Sequence, residues 1–194
     1  MRIFFLVVVF AVTQAAASES LVTKASSGRF TITQRWVKPD FIAADTDCND
    51  SDCGWQAVLQ FADKSKREAT LAAHPEWYAW PADYRISPDE QWIIREQKTG
   101  SSENALFLYH IERNGQLWRL AQHLDDLVFA FLLPPLHRTR ADYYHMEVLV
   151  ESWDAGAGKV HLRANATPND KHEKALIRDR RVTYDFKNNI VGPE

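Results

Sequence analysis

Asn114-Gly115 lies between two alternating runs, 105–112 and 116–120, and so short a connection of that composition tightly constrains how the flanking chain can fold. A type I′ turn needs positive φ at both central positions, which Asn and Gly tolerate, and its twist matches that of two paired strands. A two-residue turn here sets Ile111 opposite Trp118 and Tyr109 opposite Leu120 on one face, with His110 opposite Arg119 on the other. Leu106 and Leu108 share the His110 face, so this hairpin is expected to be covered on both sides.

Similar β-branched or alternating runs at 29–37, 55–61, 68–72 and 91–97 read as further strands. After the hairpin the period changes to nearly four. Leu124, Leu127, Val128, Phe131 and Leu132 fall on one helical stripe, and Pro134-Pro135 stops it. Phe129, Ala130 and Leu133 widen the apolar surface, which predicts a helix over about 121–133 buried against the sheet. Tyr144, Met146, Val148 and Val150 then alternate with Tyr143, His145, Glu147 and Glu151, a turn at 154–158 reverses the chain, and 160–164 returns. A last strand is predicted at 182–186, and the polar stretch 167–179 reads as loop or a short helix. The fold class is α+β, mostly β: an antiparallel meander with one buried helix.

The first residues point to export. Arg2, an apolar run over 3–12 and Ala15-Ala16-Ala17 before Ser18 have the order of a cleavable signal peptide, with cleavage expected after Ala17. The apolar run is too short for a membrane-spanning helix, and Ser18 stands where a lipoprotein would carry Cys. Residues 18–194 are then a single exported β-rich domain in the periplasm or outside the cell. Seven Trp supply the material of a packed core. The net charge of −3, or −4 once Arg2 is removed, argues against a polyanion-binding protein, and no nucleic-acid partner is expected.

Export also decides how Cys48 and Cys53 read: a close pair in an oxidising compartment forms a disulfide, here closing a small polar loop. Calcium is the competing reading, since Asp45, Asp47 and Asn49 alternate as in an EF-hand. Asp50 replaces the required Gly, however, and Gln56 replaces the closing Glu. Nucleophile-elbow, zinc-helix, phosphate-loop and dinucleotide motifs are absent from the sequence, and no cofactor is called for. His145, Glu147 and His161 form a chemically sensible metal set on one face of the second hairpin. The same strands, with Glu151 and Arg163, also make ordinary cross-strand charge pairs, and that reading leaves no metal. His137, Arg138 and Arg140 make a basic corner after the double proline, and Lys171, His172, Lys174, Arg178, Arg180 and Arg181 a second basic stretch. Both read as solvated surface, with an anionic ligand as the alternative.

Ile86-Ser87-Pro88-Asp89-Glu90-Gln91-Trp92-Ile93, a Gly/Ser turn at 100–102, the run 106–111 and Asn114-Gly115 together resemble one blade motif of the TolB-type β-propellers. The resemblance covers about 86–120, with Glu90 where that motif usually has Gly. It implies a strand-turn-strand meander and no inherited site.

Function rests on the Pro-bounded stretch 74–85. Trp77, Tyr78, Trp80 and Tyr84, with Arg85, suit carbohydrate or peptide binding, because flat rings stack on apolar ligand faces while polar groups orient them. The alternative use of these rings is to plug the core. The expected role is a non-catalytic binding or accessory module. The competing readings are a hydrolase using Asp83, Asp89 and Glu90, and a structural envelope protein without a small ligand.

Overall fold

The computed structural model describes residues 20–37, 54–63, 67–71, 79–154, 156, 158–170 and 177–194. The predicted 1–17 leader, Cys48, Cys53, Trp77 and Tyr78 lie outside the described residues. Among those described, the strands form three four-stranded antiparallel sheets, each a meander in chain order. Sheet one holds β1 (Ser20–Lys24), β2 (Phe30–Val37), β3 (Gly54–Phe61) and β4 (Glu68–Thr70). Sheet two holds β5 (Asp83–Ile86), β6 (Trp92–Gly100), β7 (Glu103–Ile111) and β8 (Leu117–Arg119). Between sheets two and three runs α1 (Leu124–Leu132). Sheet three holds β9 (Tyr143–Trp153), β10 (Lys159–Pro168), β11 (Ile177–Asp185) and β12 (Ile190–Pro193).

Sheet two is covered on both faces, as the sequence of β7 predicts. Ile93, Phe107 and Tyr109 pack with Phe30, Ile32, Leu59 and Phe61 of sheet one in one core. Ile94, Leu106 and Leu108 pack with Val148, Leu162, Ala164 and Val182 of sheet three in the other. Period-two alternation along β6 and β7 divides their residues between these two cores. Leu124, Val128 and Phe129 seat α1 on the second core. The helix is buried as expected but rotated within its predicted stripe: Phe129 is inside and Phe131 is 38% exposed.

The hairpin register differs from the sequence expectation by one residue. Tyr109 pairs with Arg119, His110 with Trp118 and Ile111 with Leu117. Glu112 N–H donates to Gln116 O, and Gly115 N–H to Glu112 O, so the loop has three residues, Arg113-Asn114-Gly115, with Gly115 alone at positive φ (81°). This is a type I turn closed by a left-handed Gly rather than a type I′ turn. The slip moves Trp118 from the Ile111 face to the His110 face.

Polar side chains join the layers where strand edges meet. β9 is the outer strand of sheet three, and Val148 N–H donates to Asn104 Oδ1 at 3.0 Å while Asn104 Nδ2 donates to Val148 O at 2.6 Å. Val150 N–H donates to Glu96 Oε1 at 3.0 Å. The backbone groups of an open strand edge are thereby satisfied by side chains of sheet two. Between sheets one and two, fully buried Arg95 donates to Gln97 Oε1 and to Leu71 O, and Gln97 donates to Trp80 O at 3.0 Å. Gln34 exchanges two hydrogen bonds of 2.8 Å with the backbone of Ala82.

Strands β1, β5 and β12 have no counterpart among the predicted runs. β5 grows out of the end of the aromatic stretch, and β12 returns from β11 through a turn in which Asn189 has φ 54°.

Candidate functional site

The two described aromatic residues of the 74–85 stretch, Trp80 and Tyr84, have different surroundings. Trp80 is 43% exposed, with the Lys98 ammonium 5.1 Å from its ring centroid. Tyr84, on β5, points the opposite way into the first core, where burial raises its pKa against the opposing charge of Arg95. Its hydroxyl has no hydrogen-bond partner among the described residues. Arg85 alternates to the other face of β5 and pairs with Glu96 at 3.3 Å.

The three carboxylates proposed for hydrolysis do not converge. Asp83 stands opposite Glu96 at the edge of sheet two. Asp89 Oδ1 accepts from Ser87 Oγ at 2.6 Å and from Gln91 N–H at 3.1 Å, which ties the β5–β6 turn. Glu90 turns toward sheet one and accepts from Ser26 Oγ at 2.9 Å, Ser27 N–H at 2.7 Å and Ser27 Oγ at 2.5 Å. Burial works to raise its pKa, but the Ser27 and Ser26 donors, with Arg29, outweigh that and hold the carboxyl below its usual range. An acid kept ionised in this way is a poor proton donor.

The metal set on sheet three is likewise dispersed. His145 Nδ1 contacts Ser101 O, while His161 lies between Asp154 (2.9 Å) and Glu194 (3.0 Å). No cluster able to hold a metal occurs among the described residues. The outer face of sheet three instead carries cross-strand ion pairs: Arg163 reaches Glu151 at 3.0 Å and Asp179 at 2.8 Å, and Arg181 reaches Glu151 at 3.2 Å.

What the fold does assemble is a column of rings at one end of the second core. The observed hairpin register puts Trp92 beside His110 and His110 beside Trp118 on adjacent strands of sheet two. Ring centroids are 4.3 Å apart for Trp92 and His110, and 5.7 Å for the edge-on Trp92 and Trp118. From sheet three, Phe186 stacks on Trp92 at 4.4 Å, and Trp153 stacks on Phe186 at 5.5 Å. Burial lowers the His110 pKa against the pull of Glu112 and Asp89, which favours the neutral imidazole among the rings. Its Nδ1 is buried with no hydrogen-bond partner among the described residues.

Three turns, β5–β6, β9–β10 and β11–β12, meet at this end. They enclose a cavity of about 140 Å³ walled by Trp92, Trp153 and Phe186 and rimmed by Asp89, Asp154 and Lys159. Trp118, 37% exposed, extends the aromatic surface beyond it. Apolar walls with a few convergent polar groups are the usual make-up of a small-ligand site. The sequence signal for it is weak because each ring is a single aromatic at a strand end, and only the pairing register unites them.

A second cavity of about 400 Å³ lies between α1 and the edges of β7 and β9, lined by Glu103, His123, Asp125, Asp126 and Arg140 among others. Asp125 is buried, and burial raises its pKa despite the 2.8 Å bond it accepts from Leu106 N–H. That N–H lies beyond the short strand β8, so Asp125 completes the edge of β7. Arg140 pairs with Asp126 and stands 4.0 Å from Asp125.

Comparison of the chain with protein-family models, curated proteins and solved structures finds no match.

Proposed function

We propose that the protein is an exported, non-catalytic binding or accessory module that takes a carbohydrate or peptide group at the ring column between sheets two and three. The observation that carries this reading is the ring-walled cavity with Asp89, Asp154 and Lys159 on its rim, built from three turns on a rigid sheet scaffold. Aromatic walls supply apolar contact to a sugar face or a peptide side chain, and the charged rim orients it. The 1–17 leader and a Cys48–Cys53 bond belong to the same proposal, which places the module in the periplasm or outside the cell. The blade-like 86–120 stretch bears on strand order alone.

The test is a retention screen of the parent protein against polysaccharides, cell-wall fragments and peptides, repeated with Trp118→Ala and Trp153→Ala. Loss of about 1 kcal/mol or more of binding, with Trp118→Ala melting close to the parent, is the expected outcome. Trp80→Ala serves as the comparator: if it alone abolishes retention, the ligand lies on the Trp80 surface and the column is packing. A parent that retains nothing removes the binding-module reading.

The larger cavity favours a second reading, a hydrolase in which Asp125 acts as the acid, because a buried carboxyl with a raised pKa beside Asp126 and His123 is equipped for proton transfer. Asp125→Asn keeps an acceptor for Leu106 N–H. Turnover of glycosidic or peptide substrates by the parent, lost in this folded variant, would establish it, and no turnover by the parent removes it.

A further inference from the structure

The C-terminal half of α1 and the double proline form an exposed apolar ridge. Ala130, Phe131, Pro134 and Pro135 all face outward at the end of the helix. A groove runs along each side. One is lined by Phe131, Leu132, Pro135 and Leu136 with Arg180 and Arg181. The other is lined by Phe129, Ala130, Leu133 and Pro134 with Arg138 and Arg140. The fold thus brings Arg138 and Arg140 near Arg180 and Arg181, far apart in the sequence, and sets an arginine pair on each flank of one apolar ridge.

The groove linings are mainly cationic in a chain whose net charge is −3. Four guanidiniums line the two grooves against one carboxylate, Asp126, which is paired with Arg140. Acids meet three of the four: Glu151 at 3.2 Å and Glu194 at 4.0 Å stand beside Arg181, Asp125 at 4.0 Å beside Arg140, and the charge of Arg138 acts on Asp142, which also accepts from Thr139 N–H at 2.7 Å, while Asp179 takes Arg163. A guanidinium carries five N–H donors, so pairing with one carboxylate leaves donors for a phosphate.

We propose that this ridge docks the protein on an anionic bilayer surface, Phe131 and the prolines entering the headgroup region while the flanking arginines meet lipid phosphates. The shape selects the occupant. A peptide would fill one groove, whereas a convex apolar ridge with cations on both sides matches a flat anionic interface. Attachment of this kind is peripheral and needs no spanning helix, and among the described residues no helix is long and apolar enough to cross a membrane.

Co-sedimentation with vesicles of phosphatidylcholine, with and without phosphatidylglycerol, tests it. Binding is expected only with phosphatidylglycerol, to weaken as salt is raised, and to survive an excess of soluble glycerol phosphate. Arg180→Gln should weaken it roughly fivefold, the effect of one arginine near such a surface. Phe131→Ser should also weaken it several-fold, and both variants should melt like the parent because both side chains are exposed. All variants carry the same N-terminus as the parent. Equal binding to both vesicle types, or unchanged binding by both variants, overturns the proposal. So does capture on polyglutamate beads without vesicle binding, which would assign the ridge to an acidic protein partner.

Discussion

Glu90 holds a backbone conformation that glycine favours, with φ 56°, at the position where the blade motif it resembles carries Gly. Left-handed geometry costs a residue like Glu on the order of 1 kcal/mol. Each hydrogen bond to its carboxylate contributes about 2 kcal/mol. Three such bonds from Ser26 and Ser27 therefore outweigh the strain, and they tie the β1–β2 turn to the β5–β6 turn. Glu90→Gly should accordingly lower stability, although it relieves the backbone. The pH dependence follows from the same bonds. Because the folded pKa lies below 4.5, the ionised form stabilises the fold, fully so above 4.5, and that contribution is lost as pH falls from 4.5 through the lowered folded value. Thermal melts of the parent should fall across that acid window more steeply than those of Glu90→Gln, and parallel curves would refute the assignment. Nothing in the sequence marks Glu90 for this role, since its donors come from residues more than sixty positions away.

At the scale of elements, the existence of the longer strands was legible and the hairpin register was not. The alternation of β7 and the Asn114-Gly115 signal identify a hairpin, but Asn-Gly serves both a two-residue turn and the last two residues of a three-residue loop. Only the second leaves Asn114 at negative φ, and the one-residue difference decides whether Trp118 meets Ile111 or His110. The ring column was hidden for that reason, not for any shortage of aromatic residues. Gly115 also lets the loop approach its neighbour: a Cβ there would meet the Arg67 guanidinium, which donates to Asn114 O at 2.5 Å and to Asp63 at 2.8 Å. Gly115→Val should cost about 2 kcal/mol, from positive φ in a β-branched residue together with displacement of Arg67. Denaturant unfolding measures it. In an Arg67→Ala background the cost should shrink to the backbone part, and an unchanged cost would show that contact with Arg67 contributes nothing. The strands that escaped sequence reading are short: β1 has five residues and β5 and β12 four each, too few for alternation to emerge.

For the molecule as a whole, the decisive feature is that sheet two belongs to both cores. Phe107 and Leu108 are neighbours in β7, yet Phe107 is packed with sheet one and Leu108 with sheet three, each about 1% exposed. Two cores divided by an intact sheet can unfold separately only if that sheet keeps its pairing with one face bare. Exposing a face rich in Ile, Leu and Phe forfeits roughly 25 cal/mol for every Å² returned to water. The polar links work in the same direction, because freeing sheet three strips Asn104 and Glu96 from the edge of β9 and leaves Val148 and Val150 to find other partners. Phe107→Ala and Leu108→Ala should therefore each destabilise the protein by about 3 kcal/mol, within the range for emptying a buried Phe or Leu site. Both should do so by shifting one common transition. Unfolding followed in parallel by tryptophan fluorescence and by far-ultraviolet circular dichroism should give coincident curves for the parent and both variants. Trp36 and Trp55 report from sheet one, and Trp92, Trp118 and Trp153 from sheets two and three, so independent cores would give the fluorescence curve two phases. A biphasic curve in which Leu108→Ala moves only one phase would show that sheet two does not couple the halves.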